Sequence, residues 1–246
     1  MSLTPKLITQ NNFCVAWKDA LKYIFDNKGS VYNLVVQITD PIAVTEDIDT
    51  KYVKFCIEKN ILQPKHVSYT IFPHKIYYKK NSAARLYDFY NRENGFYRRA
   101  YKEKLPSTWG TYFRRMTFYE FGDRVINQLD NIITKINERK KLKKHAYTII
   151  IQNPIHDTTR PMGGPCLNYI ALQFTNDRGQ KTVGLLAVYR NHDFLKKAYG
   201  NYWGLNNLIQ FIANEVKMLP GPLTCISSHA YFDNQGLAKE LLGRLC

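Results

Sequence analysis

Residues 160–231 read RPMGGPCLNYIALQFTNDRGQKTVGLLAVYRNHDFLKKAYGNYWGLNNLIQFIANEVKMLPGPLTCISSHAY. Two runs dense in β-branched and aromatic residues, CLNYIALQFT and TVGLLAVYR, flank the turn-forming NDRGQ, which predicts an antiparallel hairpin. From Tyr202 onward Leu205, Leu208, Ile209, Ile212 and Val216 recur at helical spacing, and Pro220-Gly221 predicts the stop. LTCISSHAYF then reads as a strand, with His229 and Tyr231 two apart and so on one face.

The same stretch gathers the reactive side chains. Cys166 alone of the five cysteines follows backbone-restricting residues, Gly163-Gly164-Pro165. Glycine permits close approach of a ligand and proline fixes entry into a strand. A thiol becomes nucleophilic where nearby cations favour the thiolate. Arg190 can supply that charge, and its planar fork also suits a phosphate. Asp193 and Asn201 offer acceptors and donors that can read the edge of an amide-like ring. Each residue alone has a plainer reading: Cys166 as a small core residue, His229 as a satisfied structural histidine, Asp193 as a helix cap.

Outward from this stretch, residues 13–27 place Phe13, Trp17, Leu21 and Ile24 on one helical stripe with Gly29 as its stop, and 31–38 predict a strand. Residues 47–59 form a weaker helical pattern. HVSYTIFPHKIYY, residues 66–78, reads as extended with a break at Pro73. Residues 82–104 interleave tyrosines and phenylalanines with basic side chains. They can stack on bases and contact phosphates, or equally form helices whose rings pack while the cations snorkel outward. Residues 121–140 predict a helix with Val125, Leu129, Ile132, Ile133 and Ile136 on one face, leading into a cation run through Lys144. AYTIIIQNP predicts a strand stopped by Asn153-Pro154, and GLAKELLGRLC a last short helix.

Lys and Arg number 35 against 20 Asp and Glu, a net charge of +15, which favours an anionic partner and is silent on fold. Apolar residues make up 45%, enough for a substantial core. The cysteines are odd in number and scattered without a CxxC pair, which argues against a disulfide framework or a zinc site. No apolar run approaches the roughly 20 residues that span a bilayer. A signal segment is missing from the start, so the expected location is the cytoplasm. Neither repeats nor low-complexity linkers divide the chain, and residues 1–246 are expected to form a single domain.

The order of the reactive residues resembles that of thymidylate synthases. That family carries a Pro-Cys-His nucleophile motif, a Gln-Phe strand end, Tyr-Gln-Arg-Ser-x-Asp, then Phe-Asn opening a long helix, and an Asp-x-His-x-Tyr strand. The counterparts here are Pro165-Cys166-Leu167, Gln173-Phe174, Tyr189-Arg190-Asn191-His192-Asp193, Gly200-Asn201 and Ser228-His229-Ala230-Tyr231. Upstream, TWGTYFRR resembles the family's Tyr-Gly-x-x-Trp-Arg segment, and TIIIQNP its strand ending Trp-Asn-Pro. The likeness covers residues 106–246, aligns without a gap from Arg190 through Asn201, and leaves 1–105 divergent.

The resemblance implies an α+β fold, a sandwich on a large mixed β-sheet with flanking helices, and a homodimer. It implies an enzyme that modifies C5 of a pyrimidine nucleotide monophosphate by methylation or hydroxymethylation, with methylenetetrahydrofolate as one-carbon donor and no metal. Carried over by position, Cys166 is the nucleophile, Arg190 a phosphate ligand that assists thiolate formation, and Asp193 a contact to the nucleophile loop and base. Asn191 falls at the phosphate-binding serine, Asn201 at the reader of the pyrimidine edge, and His229 and Tyr231 at the holders of the sugar hydroxyl. The paired arginines donated across the dimer fall near Lys144 and His145.

The departures are specific. Leu167 replaces the histidine after the nucleophile, two extra residues separate Cys166 from Gln173, and no counterpart is found for the N-terminal Glu segment or the folate-packing Asp-Glu-Trp. The short stretch after Tyr231 leads us to expect no C-terminal lid. Nucleotide-side motifs thus outnumber cofactor-side ones. That balance leaves open a non-catalytic pyrimidine-nucleotide-binding or assembly protein, and the basic stretch 82–115 leaves open a nucleic-acid-binding protein.

Overall fold

The computed structural model describes residues 3–102, 109–138, 142–143, 146–157, 164–177 and 179–245. The first half runs β1 (Lys6–Gln10), α1 (Phe13–Asp26), β2 (Ser30–Ile38), α2 (Glu46–Glu58), α3 (Pro64–Ile71), α4 (His74–Lys80) and α5 (Ala83–Asn91), then a π-helical turn at Arg98–Lys102. The second half runs α6 (Tyr112–Thr117), β3 (Tyr119–Phe121), β4 (Arg124–Ile126), α7 (Gln128–Glu138), β5 (Thr148–Ile150) and α8 (Pro154–Asp157). It closes with β6 (Leu167–Asp177), β7 (Gln180–Tyr189), β8 (His192–Asp193), α9 (Ala198–Glu215), β9 (Leu219–Tyr231) and α10 (Gln235–Leu245).

Among the described residues seven strands form one mixed sheet in the order β1-β2-β9-β7-β6-β5, with β8 beside β9. The hairpin expected from NDRGQ is β6–β7, paired from Leu167↔Tyr189 to Asp177↔Gln180. β9 runs parallel to β7 and antiparallel to β2. It is longer than its sequence suggested, because Pro220-Gly221 lies inside the strand rather than ending the helix before it. Pro220 pairs with Val183 just before a register shift. A Cβ on Gly184 would come within 3.0 Å of the Pro222 carbonyl, so the two backbones approach there as only glycine permits.

The stripe Phe13, Trp17, Leu21 and Ile24 is buried as expected, and α1 ends where Lys28 and Gly29 turn left-handed, at φ 64° and 87°. α9 is apolar most of the way round, with Leu205, Leu208, Ile209 and Ile212 all buried. It is enclosed by β7 and β9, by α1 and by α3.

Two further expectations are corrected. Residues 66–78 are not extended but helical, as parts of α3 and α4. Pro64 sits in the first turn of α3, where its missing N–H costs nothing, and Pro73 caps the start of α4. Val67 and Ile71, four apart, lie against Gly200 and Gly204 of α9, where a Cβ would come within 2.6 and 2.8 Å of their own Cβ atoms. That close contact outweighs the strand propensity of the segment. Residues 121–140 are not one helix: Gly122, at φ 57°, turns β3 into β4, Val125 is exposed, and α7 begins only at Gln128. The strand β1 was not expected at all, since KLITQ alternates weakly at a sheet edge. Among the described residues no helix is long and apolar enough to cross a membrane.

Candidate active site

Where β6 begins, the chain has just passed Gly164-Pro165 and turns Cys166 toward a cavity of about 350 Å³. Asn191 and Asp193 reach it from the end of β7 and from β8, Asn201 and Lys197 from the start of α9, and Tyr231 from the end of β9. These are strand ends and a helix start on one side of the sheet, where the backbone leaves its ladder and side chains are free to converge. Five of the residues expected from the sequence therefore meet in one place: Cys166, Asn191, Asp193, Asn201 and Tyr231. The lining also includes Leu62, Val67, Thr70, Trp109 and Tyr112.

Two expected residues stand just outside the cavity wall. Arg190 is exposed and donates from Nε to the Pro165 carbonyl at 3.1 Å, while its backbone N–H bonds the Cys166 carbonyl at 2.9 Å. It thereby holds the loop that carries the thiol. His229 stacks flat on Tyr231, centroids 5.3 Å apart, which confirms the shared face of β9. Its Nδ1–H donates to Asn191 Oδ1 at 2.7 Å, and its Nε2 accepts from the Ser30 hydroxyl at 2.7 Å. Lys144 and His145 lie outside the described residues, as does Gly163.

Electrostatics at the thiol run in both directions. Burial pushes the Cys166 thiol up; Arg190 and Lys197 draw it down, and Asp193 pushes it up again. Burial likewise raises Asp193, although Oδ1 accepts the backbone N–H groups of Leu195 and Lys196 at 3.0 and 2.9 Å. That Asx-type turn is the capping role its sequence position allowed. The Lys197 ammonium is lowered by burial and held up in turn by Asp193 and Cys166.

Sequence reasoning missed three contributors. His192, 1% exposed, accepts an amide N–H from Asn201 at Nε2 across 3.1 Å and donates from Nδ1 to Ser227 Oγ at 2.9 Å. Burial pushes its pKa down to about 3, so the ring stays neutral in this relay. Lys197 lay unremarked inside the gapless Arg190–Asn201 segment. Trp109 is fixed from behind by Arg115, which bonds its carbonyl and pairs bidentately with Asp157 at 2.8 and 2.9 Å. The glycine spacing of Gly200 and Gly204 was the one sequence signal that a helix would pack there and bring Val67 and Thr70 to the cavity.

Amide, carboxylate, amine and phenol groups thus share one cavity with apolar and aromatic side chains and with the Cys166 thiol. A lining of this composition is able to receive a flat polar ring beside a thiol. Among the described residues no three His, Cys, Asp or Glu side chains converge to hold a metal ion.

No family model matches the chain. It is similar to proteins described as "Putative thymidylate synthase". The one from Methanocaldococcus jannaschii is 33% identical over 128 residues, covering 50% of this chain and 55% of that protein. The one from Methanococcoides burtonii is 27% identical over 121 residues, 46% of this chain and 52% of its own. The one from Methanosarcina barkeri is 24% identical over 119 residues, with 46% and 52% covered. The chain spans about half the length of these curated relatives, a distant family-level link.

Proposed function

We propose that the protein is a thymidylate synthase-like enzyme that transfers a one-carbon unit to C5 of a pyrimidine deoxynucleotide monophosphate through covalent catalysis by Cys166. The observation that carries this reading is the convergence of Cys166, Asn191, Asp193, Asn201 and Tyr231 on one cavity, in the order the family resemblance assigns them. The names of the distant relatives support it.

In this reading Asn201 hydrogen-bonds the polar edge of the base and Tyr231, with His229 behind it, holds the sugar. Arg190, Asn191 and the cations near Lys144 and His145 meet the phosphate. The Cys166 thiolate adds to C6: the sulfur–carbon bond forms, the C5–C6 π pair moves toward O4, and C5 becomes the nucleophile. Lys197 and Arg190 stabilise the thiolate before attack. Leu62, Val67 and Trp109 are the apolar and aromatic lining residues that would hold the ring system of a folate. Bound methylenetetrahydrofolate would supply the one-carbon unit. Once C5 has bonded to the one-carbon unit, which would leave its folate nitrogen, loss of the C5 proton to solvent and expulsion of Cys166 as the thiolate would restore the pyrimidine. Water would complete a hydroxymethyl product, or a hydride from the folate a methyl product. We take residues 1–246 as one domain, the working unit as a homodimer and the location as cytoplasmic, and equilibrium sedimentation tests the dimer.

A second reading is favoured by one observation. Burial is the largest influence on the Cys166 thiol and works against ionisation, which suits a nucleotide-binding protein that keeps the pocket without the chemistry. Incubation with 5-fluoro-dUMP, with and without methylenetetrahydrofolate, separates the two. The enzyme gives an intact-mass adduct mapped to Cys166 and lost in Cys166→Ser. Binding of dUMP or dCMP with no adduct under any condition supports the second reading and sinks the first.

A further inference from the structure

Helix α3 stands between two cavities. Val67 and Thr70 line the one that holds Cys166, whereas Lys65, His66 and Tyr69 line another of about 510 Å³. Its volume is within the range of small-molecule sites, about 300–1,000 Å³. Its walls are rings: Tyr69, His74, Phe96, Tyr101 and Trp203. Tyr69 meets His74 edge-on at 5.2 Å, and the Asn207 amide donates to His74 Nδ1 at 3.2 Å, so this wall is held in place. Burial pushes His74 down and Tyr69 up, which leaves both rings uncharged at neutral pH. The charge comes from Lys65 and Lys75, both exposed along the lining and neither in an ion pair among the described residues.

More cations lie one ring away. Phe89 stacks on Phe96 at 6.5 Å. Lys80 Nζ and the guanidinium carbons of Arg92 and Arg99 lie 4.0, 5.5 and 5.8 Å from the Phe89 centroid. Arg92 reaches Asp88 only at 4.0 Å, and among the described residues Lys80 and Arg99 pair with no carboxylate. Three cations gathered on one ring repel one another, and an anion of several charges relieves that repulsion. The lysines exclude a cationic guest of the kind aromatic cages take, and a purely apolar guest would leave the cations unanswered.

We propose that this cavity is a second ligand site, for a nucleobase joined to several phosphates. The base stacks among Trp203, Tyr101 and Phe96, and the phosphates meet Lys65, Lys75 and the cations gathered on Phe89. The site is separate from Cys166 and stands whether or not the chemistry proposed there is correct. Its ligand is a free nucleoside triphosphate or the phosphate chain of a single strand, which share this chemistry.

The test is equilibrium dialysis of the full chain against a radiolabelled nucleoside triphosphate. The expected result is saturable binding that weakens at least about tenfold in the Lys65→Glu/Lys75→Glu protein. Both residues are exposed, so this variant keeps the fold, and circular dichroism checks that it does. Excess unlabelled dUMP, directed to the first cavity, is expected to leave this binding unchanged, and Trp203→Leu is expected to weaken it. Inorganic tripolyphosphate is expected to compete poorly, because it lacks the ring. Competition by a short single-stranded oligonucleotide names the source: displacement at lower concentration than unlabelled triphosphate assigns the site to single strands, and the reverse to free nucleotides. The proposal is overturned if no triphosphate binds, if the double variant binds unchanged, if dUMP abolishes binding, or if tripolyphosphate competes as well as the triphosphate.

Discussion

Asn201 donates an amide N–H to Nε2 of His192 across 3.1 Å, and His192 passes the constraint on through Nδ1–H to Ser227. An asparagine amide that can turn over reads two base edges; one held by a buried neutral ring presents a single face. Under the function proposed above, the relay bears on which base edge Asn201 reads.

Replacing His192 by Phe removes that hold while keeping an aromatic ring against Tyr189, on which His192 stacks at 4.0 Å. We expect the ratio of dUMP to dCMP affinity, measured by calorimetry, to move toward one. Stability is expected to fall by about 1–3 kcal/mol, because Asn201 and Ser227 lose a buried partner. An unchanged ratio would show that Asn201 is oriented by other contacts.

His192 also predicts a pH dependence. Its folded pKa, about 3, is below the ordinary 6.5. Between those values the unfolded chain holds the proton and the folded protein does not, so this group's contribution to stability is lost as pH falls from 6.5 toward 3. The slope from one proton is about 1.4 kcal/mol per pH unit. Urea unfolding of wild type and His192→Phe across that range should give a shallower decline in the variant.

Cys166 titrates above its ordinary value of 9.0, because burial outweighs Arg190 and Lys197. Alkylation by iodoacetamide is expected to rise about tenfold per pH unit through neutrality and to level off only above pH 9. Lys197→Met should move the profile to higher pH still. A plateau near pH 7 would mean that the cations prevail over burial.

The Arg115–Asp157 pair is nearly closed to solvent, with side chains 12% and 3% exposed. Asp157 also accepts the Asn153 backbone N–H at 2.7 Å, and Arg115 bonds the Trp109 and Ile151 carbonyls. Asp157→Ala leaves a guanidinium without its carboxylate and is expected to cost about 3–5 kcal/mol. Release of Trp109 should weaken nucleotide binding as well. Denaturation curves and calorimetry read the two effects separately.

Gly204→Ala would set a Cβ 2.8 Å from Ile71 Cβ and the Ser68 carbonyl. Overpacking of this kind costs about 1–3 kcal/mol. Because α3, which carries Ser68 and Ile71, also brings Val67 and Thr70 to the cavity, affinity should drop along with the melting temperature.

The local patterns of the chain already contained the hairpin of 166–190, the helix of 13–27 and the long helix before β9, and the resemblance in motif order singled out Cys166, Asn191, Asp193, Asn201 and Tyr231. Those features depend on alternation, helical spacing and turn residues, which act over a few neighbours, and on a motif order that can be read along the chain. Tertiary structure alone decided the rest. Residues 66–78 became helical because their apolar side chains meet glycines of α9 more than a hundred positions away. The contact that decides is the one between Val67 and Gly200. His192 became a relay because the ends of β7, β8 and β9 close around it. Arg190 and His229 took places behind the cavity wall because nearer backbone and side-chain partners hold them. Periodicity records which face of an element is apolar; only the packed chain decides what that face will meet.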